Sequence, residues 1–242
     1  MCGRYELHTH PAAVALAFGL AHAPAFGARY NIAPMQNVPI VRHNAAGERE
    51  IVQVRWGFVP RWARDPGIGA RMINARAETV AERPAFRNAF QRHRCLVPAD
   101  AFYEWRRGPA GKQPVRIHRA DGQPFGMAGL YERWLSPEGE VLDTCAIVTT
   151  EANALLRPIH DRMPVIVPPE HYARWLEAPG DEVVDLFEPA NAPDLHVHPV
   201  STRVNAVRND DAALIEPIDE PSAPATPAAL EEPELPLQAR LI

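Results

Sequence analysis

Alternation of apolar and polar positions dominates this chain. Residues 38–42 and 50–56 alternate on either side of Asn44-Ala45-Ala46-Gly47, which predicts a β-hairpin. Further strand-like stretches fall at 95–97, 102–106, 115–119, 125–131, 141–150, 163–167 and 195–200. Turn signals such as Gly108-Pro109, Asp121-Gly122 and Pro137-Glu138-Gly139 separate several of them. Helical spacing is rarer. Residues 10–20 read as a helix with Thr9 or His10 as cap, Pro11 in the first turn and Gly19 as stop. Residues 84–93 carry Phe86 and Phe90 four apart, 151–156 look helical, and 169–176 place Tyr172, Trp175 and Leu176 on one side. Short strands with turn-length connections predict an α+β fold: a mostly antiparallel, curved or barrel-like β-sheet core with short flanking helices. The expected domain spans residues 1–218. Residues 219–242 are rich in Pro, Ala and Glu and read as a disordered tail.

Composition narrows the class. The chain has 242 residues, 46% hydrophobic and 23% charged, enough to bury a core. It has no apolar run of membrane-spanning length and no apolar stretch near Met1 like that of a secretory signal, so the cytoplasm is the default expectation. The net charge of −5 hides a skew. Residues 1–119 hold 18 Arg and Lys against 8 Asp and Glu, whereas residues 120–215 hold 6 against 16. A basic N-terminal half suits a phosphate-binding face if the skew persists in space.

Three cysteines, Cys2, Cys95 and Cys145, have no CxxC spacing, which argues against a disulfide framework or a zinc site. Cys95 and Cys145 sit in apolar runs and read as buried small residues. Cys2 becomes N-terminal once Met1 is trimmed. Its α-amine and thiol then lie on adjacent carbons, with ordinary pKa values of about 8 and about 8.5. Such a pair condenses with an aldehyde: the amine forms an imine, and the thiolate closes a thiazolidine ring. It can also serve as an acyl-transfer nucleophile with the amine as base. Three other segments carry chemistry. Asn74-Ala75-Arg76-Ala77-Glu78-Thr79 packs an amide, a guanidinium and a carboxylate together. Phe102-Tyr103-Glu104-Trp105 places a carboxylate among aromatics, where desolvation suits it to general acid work. His160-Asp161-Arg162-Met163-Pro164 sets a histidine before a strand. Taken singly, each has a plain structural reading: Asn74 as a turn cap, Glu104 as an edge-strand carboxylate, His160 as a satisfied histidine. His196 and His198, two apart on one strand face, read as structural or DNA-facing.

Together with Cys2-Gly3-Arg4-Tyr5, Arg29-Tyr30-Asn31-Ile32-Ala33-Pro34, Arg55-Trp56-Gly57-Phe58-Val59-Pro60-Arg61-Trp62, Pro199-Val200-Ser201 and Val204-Asn205, these segments fall in the order of one family. The chain resembles, over about residues 2–218, the SOS-response-associated peptidases, also called abasic-site processing proteins. The resemblance implies a covalent DNA–protein crosslink at abasic sites in single-stranded DNA, made as a thiazolidine on Cys2. It implies catalytic roles for Cys2, Asn74, Glu104 and His160. It implies DNA contacts at Arg4 and Arg76 on phosphates, at Trp62 and Pro34 on splayed bases, and at Asn31 and Thr149 nearby. The partner is then single-stranded DNA containing abasic sites. No cofactor, metal or membrane is expected, and the chain is expected to be a monomer. Peptidase activity on its own leader and weak lyase activity belong to the same expectation. At Ala63 the chain departs from relatives that carry a second aromatic after Trp62.

Other readings of the same residues stay open. Class II glutamine amidotransferases also begin Met-Cys-Gly, but their downstream motifs are not found here. A binding module without chemistry would need Arg4, Arg76 and Trp62 but not Cys2.

Overall fold

The computed structural model describes residues 2–108 and 111–219. The expected tail lies, apart from Asp219, outside the described residues. In chain order the elements are β1 (Tyr5–Leu7), α1 (Pro11–Phe18), β2 (Arg29–Ile32), β3 (Asn37–His43), β4 (Arg49–Trp56), β5 (Asn74–Arg76), α2 (Arg87–Arg92) and β6 (Arg94–Ala99). They continue with β7 (Ala101–Gly108), β8 (Gly111–Arg119), β9 (Phe125–Leu135), β10 (Val141–Glu151), β11 (Arg162–Pro164), β12 (Ile166–Val167), α3 (Tyr172–Glu177) and β13 (Leu195–Pro199).

One sheet closes on itself. β3 pairs with β4 and β6, β6 with β9, β9 with β10, and β10 with β4. This ring is a five-strand barrel, with β5 and β11 added along β10 and β12 along β9. A second sheet runs β13-β8-β7-β1-β2, all antiparallel. The fold is therefore α+β, mostly antiparallel and barrel-like, as its alternation implies. The parallel pairings of β10 with β4 and β5 join distant segments and leave no local signal in the sequence.

Val38, Ile40, Trp56, Leu96, Leu130 and Ile147 are fully buried in the core. Burying such a side chain contributes about 1.5–3 kcal/mol. Tyr5 of β1 meets Trp56 of β4 edge to face, ring centroids 5.4 Å apart, and so clamps the N-terminal segment of the second sheet onto the barrel.

Local signals explain α1. Pro11 opens it, His10 accepts from the Ala12 amide at 3.3 Å, and Gly19 closes it at φ 65°, a left-handed value glycine tolerates. Two expected elements differ. The helix expected at 151–156 is a turn instead. β10 runs through Glu151, and the Asn153 side chain accepts from the Leu156 amide at 3.1 Å, an alternative to helical bonding. The single strand expected at 163–167 is split. Val165 donates to Val148 and accepts from Ala128, passing the chain from β10 to β9.

After β13 the chain becomes a strap across the outer face of the second sheet. Val200, Val204 and Leu214 pack on Tyr103 in a small separate core. No helix among the described residues is long and apolar enough to cross a membrane.

Candidate active site

Cys2 precedes β1 and has no exposed surface. Asn74 reaches it from β5, donating from Nδ2 to the Cys2 carbonyl at 2.9 Å. β5 lies parallel to β10, with Asn74 opposite Ile147 and Arg76 opposite Thr149. Strand alternation puts Asn74 and Arg76 on one face while Ala75 is buried on the other. The Asn74 Oδ1 atom is also buried and has no hydrogen-bond partner among the described residues.

β7 supplies Glu104. The Tyr103 amide donates to the Arg4 carbonyl at 2.9 Å, so residues just ahead of β1 run beside β7. Alternation then sends Tyr103 under the strap and Glu104 to the opposite face. Glu104 is 5% exposed, and burial pushes its carboxyl up to about 7. The negative charge of Asp161 raises it further. The Cys2 thiol is also pushed up, first by burial and then by the charge of Glu104. Glu104 acts on Cys2 and Asp161 acts on Glu104, which places the three in one electrostatic neighbourhood.

His160 ends the loop between β10 and β11. Its amide donates to Leu156 O at 3.0 Å, and its Nδ1 accepts from the Arg162 amide at 3.0 Å. The neutral ring then carries its proton on Nε2. Burial lowers the pKa of His160, which favours this neutral form near neutrality.

Beside Asn74 opens a pocket of about 410 Å³ lined by Arg71, Asn74, Arg76, Thr79, Arg83 and Phe86 among others. Its three arginines are exposed. Arg71 and Arg83 were not singled out in the sequence, where the only signal for them is the basic skew around the 74–79 motif. Trp62 is 62% exposed on a loop pinned at either side: Arg61 bonds Glu132 at 3.0 Å, and Trp134 Nε1 donates to Ala63 O at 2.7 Å. A large ring held out on a fixed loop is a display surface. Pro34 is half-buried, in a turn whose next residue, Met35, adopts φ 70°.

Two residues expected near DNA are buried. Asn31 is fully buried, and its Nδ2 donates to Val204 O, Ala206 O and Asn209 O of the strap. Thr149 is buried beneath Arg162, whose guanidinium donates to its carbonyl. Their polar groups are spent on internal partners. Arg4 is half-buried, its NH1 donating to Asn31 Oδ1 at 2.7 Å and Val204 O at 2.8 Å. Cys95 and Cys145 are buried and free. His196 and His198 neighbour His118 across the β8–β13 pair. Among the described residues no cluster of His, Cys, Asp or Glu is arranged to hold a metal.

The Cys2 thiol, the Asn74 amide, a Glu104 carboxyl raised to about 7 and the neutral His160 imidazole thus come from four separate segments. The arrangement suits proton transfers around an attack by residue 2.

Known proteins resemble this chain. The abasic site processing protein YoqW of Bacillus subtilis (strain 168) is 41% identical over 223 residues, covering 89% of this chain and 99% of that protein. The abasic site processing protein YedK of Escherichia coli (strain K12) is 36% identical over 200 residues, covering 78% and 85%. A crystal structure of a protein from Bacteroides thetaiotaomicron superposes with a TM-score of 0.80 at 26% identity, covering 90% of this chain and all of that one. The pattern of the SOS response associated peptidase (SRAP) family matches residues 1–207, and the chain belongs to that family.

Proposed function

We propose that this protein captures abasic sites in single-stranded DNA as a covalent thiazolidine on Cys2, after Met1 has been removed. The approach of Asn74 and Glu104 to Cys2, with His160 beside the Asp161 that acts on Glu104, carries this reading, with the names of the relatives in support.

An abasic deoxyribose is mostly a closed ring. Glu104, kept partly protonated near neutrality by burial, gives its proton to the ring oxygen as the anomeric hydroxyl loses one, and the aldehyde appears. The Cys2 amine attacks C1′. Water leaves, with His160 moving protons, and an imine remains. The thiol sulfur adds to the same carbon while its proton passes to the imine nitrogen, closing the five-membered ring. The high thiol pKa in the folded site orders these events, since the amine is the readier nucleophile. Asn74 fixes the Cys2 carbonyl through Nδ2 and leaves Oδ1 to accept from the Cys2 amine. Arg71, Arg76 and Arg83 hold flanking phosphates, and Trp62 offers its ring to an unstacked base. An imine alone permits β-elimination and strand cleavage; the closed ring suppresses it, so lyase activity is a minor side path.

The test is denaturing electrophoresis of protein whose mass shows that it starts at Cys2, mixed with single-stranded DNA bearing one abasic site. A lesion-dependent band that disappears in Cys2→Ala is expected. No band from wild-type protein overturns the covalent reading and leaves non-covalent binding.

A further inference from the structure

Nδ1 of His160 has two neighbours with opposite demands. The Arg162 amide donates to it at 3.0 Å, which requires a bare nitrogen. Asp161 Oδ1 lies 2.8 Å from the same atom, which requires that the nitrogen carry hydrogen. One nitrogen meets only one demand at a time. We infer that Asp161 is a positioning residue for His160, selecting which ring nitrogen holds the proton and therefore whether Nε2 acts as donor or acceptor. The inference rests on the proposed role of His160 in proton transfer.

The frame around the ring supports a shift of proton alone. His160 is anchored through its amide to Leu156, and the Asp161 carbonyl accepts from Ala152 at 2.9 Å. The Arg162 side chain is held by Glu78 on one side and by Thr149 on the other. The backbone on both sides of the imidazole is thus fixed. The Asp161 side chain is 85% exposed, so it can approach or leave Nδ1 at little cost. With the Arg162 amide on Nδ1, Nε2 carries the proton and can only donate. With Asp161 accepting from Nδ1–H, the Nε2 lone pair is bare and the ring becomes a base. Carbinolamine formation and its dehydration need both behaviours in turn, and a ring with two competing partners supplies both.

The charged groups acting on the ring are the N-terminal amine and, on its own segment, Asp161 and Arg162, with Glu78 neutralising Arg162; Asp161 also acts on Glu104 of β7. Asp161 favours both the charged ring and protonated Glu104. Its removal therefore lowers the pKa of each. A rate that needs neutral His160 and protonated Glu104 has a bell-shaped pH profile, and both limbs move to lower pH.

The test compares wild type, Asp161→Asn and Asp161→Glu in two measurements. One is the pH profile of crosslinking to abasic single-stranded DNA. The other is nitrogen NMR of labelled histidine, which reads the His160 tautomer without DNA. In Asp161→Asn the bell should move acidward by a few tenths of a pH unit, the scale of an exposed ion pair, and the neutral ring should shift toward Nε2–H. Asp161→Glu should restore much of both. An unchanged tautomer and an unchanged profile in Asp161→Asn overturn the inference. Absence of crosslinking by wild type overturns the functional reading instead, while the NMR still decides the role of Asp161.

Discussion

Asn74 and Cys2, 72 positions apart, are joined by one hydrogen bond, from the Asn74 amide to the Cys2 carbonyl at 2.9 Å. It ties the residue proposed to attack to the strand that borders the arginine pocket. Asn74→Ala loses that bond and the buried Oδ1 acceptor together. Loss of a bond worth about 1 kcal/mol slows crosslink formation about fivefold, and two such losses multiply. Single-turnover rates on abasic single-stranded DNA measure this. An unchanged rate would mean that Cys2 is held by other contacts.

Glu104 makes stability depend on pH. Burial raises its carboxyl from the ordinary 4.5 to about 7. The folded state then binds the proton more tightly than the unfolded chain. The resulting stability is fully present below the unfolded value and fades as pH rises through the folded one. The span corresponds to about 3 kcal/mol at most. Glu104→Gln removes this dependence. Its melting temperature should gain on wild type as pH climbs from about 5 to above 7. Parallel melting curves against pH would contradict the burial effect.

The same residue shapes the rate. With the acid form required, crosslinking by wild type should decline above a midpoint near 7. Glu104→Gln should be slow at every pH, with that limb gone and DNA binding retained. Equal losses of binding and rate in the variant would remove Glu104 from the chemistry.

Arg71 and Arg83 line the pocket beside Asn74. Each phosphate contact on a single strand contributes about 0.7 to the slope of log affinity against log salt. Arg71→Ala and Arg83→Ala should each flatten that slope by about this amount and weaken binding across sequences alike. Fluorescence anisotropy across a salt series tests it, and unchanged slopes would place the DNA elsewhere.

Asn31 binds the strap with three donor contacts and supports Arg4. Asn31→Ala removes these bonds and one acceptor of Arg4, so stability should fall by about 1–3 kcal/mol. Urea denaturation measures the loss. A change below about 1 kcal/mol would mean that the strap is held by Asp210, which accepts from the Tyr30 and Asn31 amides.

Much of this was legible in the residues. The hairpin of β3 and β4 follows from alternation around an Asn–Gly turn, and α1 from its proline, cap and terminal glycine. The 74–79, 102–105 and 160–164 motifs mark segments that border the site. What escaped is non-local. Nothing near Asn31 reveals that Val204, Ala206 and Asn209 consume its amide. Asp161 looks ordinary until its distance to the neighbouring ring is known. Arg71 and Arg83 join Arg76 only because the turns on either side of β5 bring them around one cavity. The turn at 154–159 defeats local reasoning because Asn153 and Pro158 favour a bend within a helix-compatible run.

β10 touches four other strands, β4, β5, β9 and β11, and it begins only at Val141. β5 pairs with β10 alone among the described strands. During synthesis the segment bearing Asn74 therefore leaves the ribosome with no sheet to join, and it waits while about 70 more residues are made, several seconds at cellular rates. His160 emerges later still. An incomplete nascent chain, even with Cys2 already bare, has neither the Asn74 amide in place nor the imidazole of His160. Under the proposed function, the assisted reaction of Cys2 is thus delayed until the domain is whole, and truncated products of interrupted translation carry Cys2 without the residues proposed to serve it.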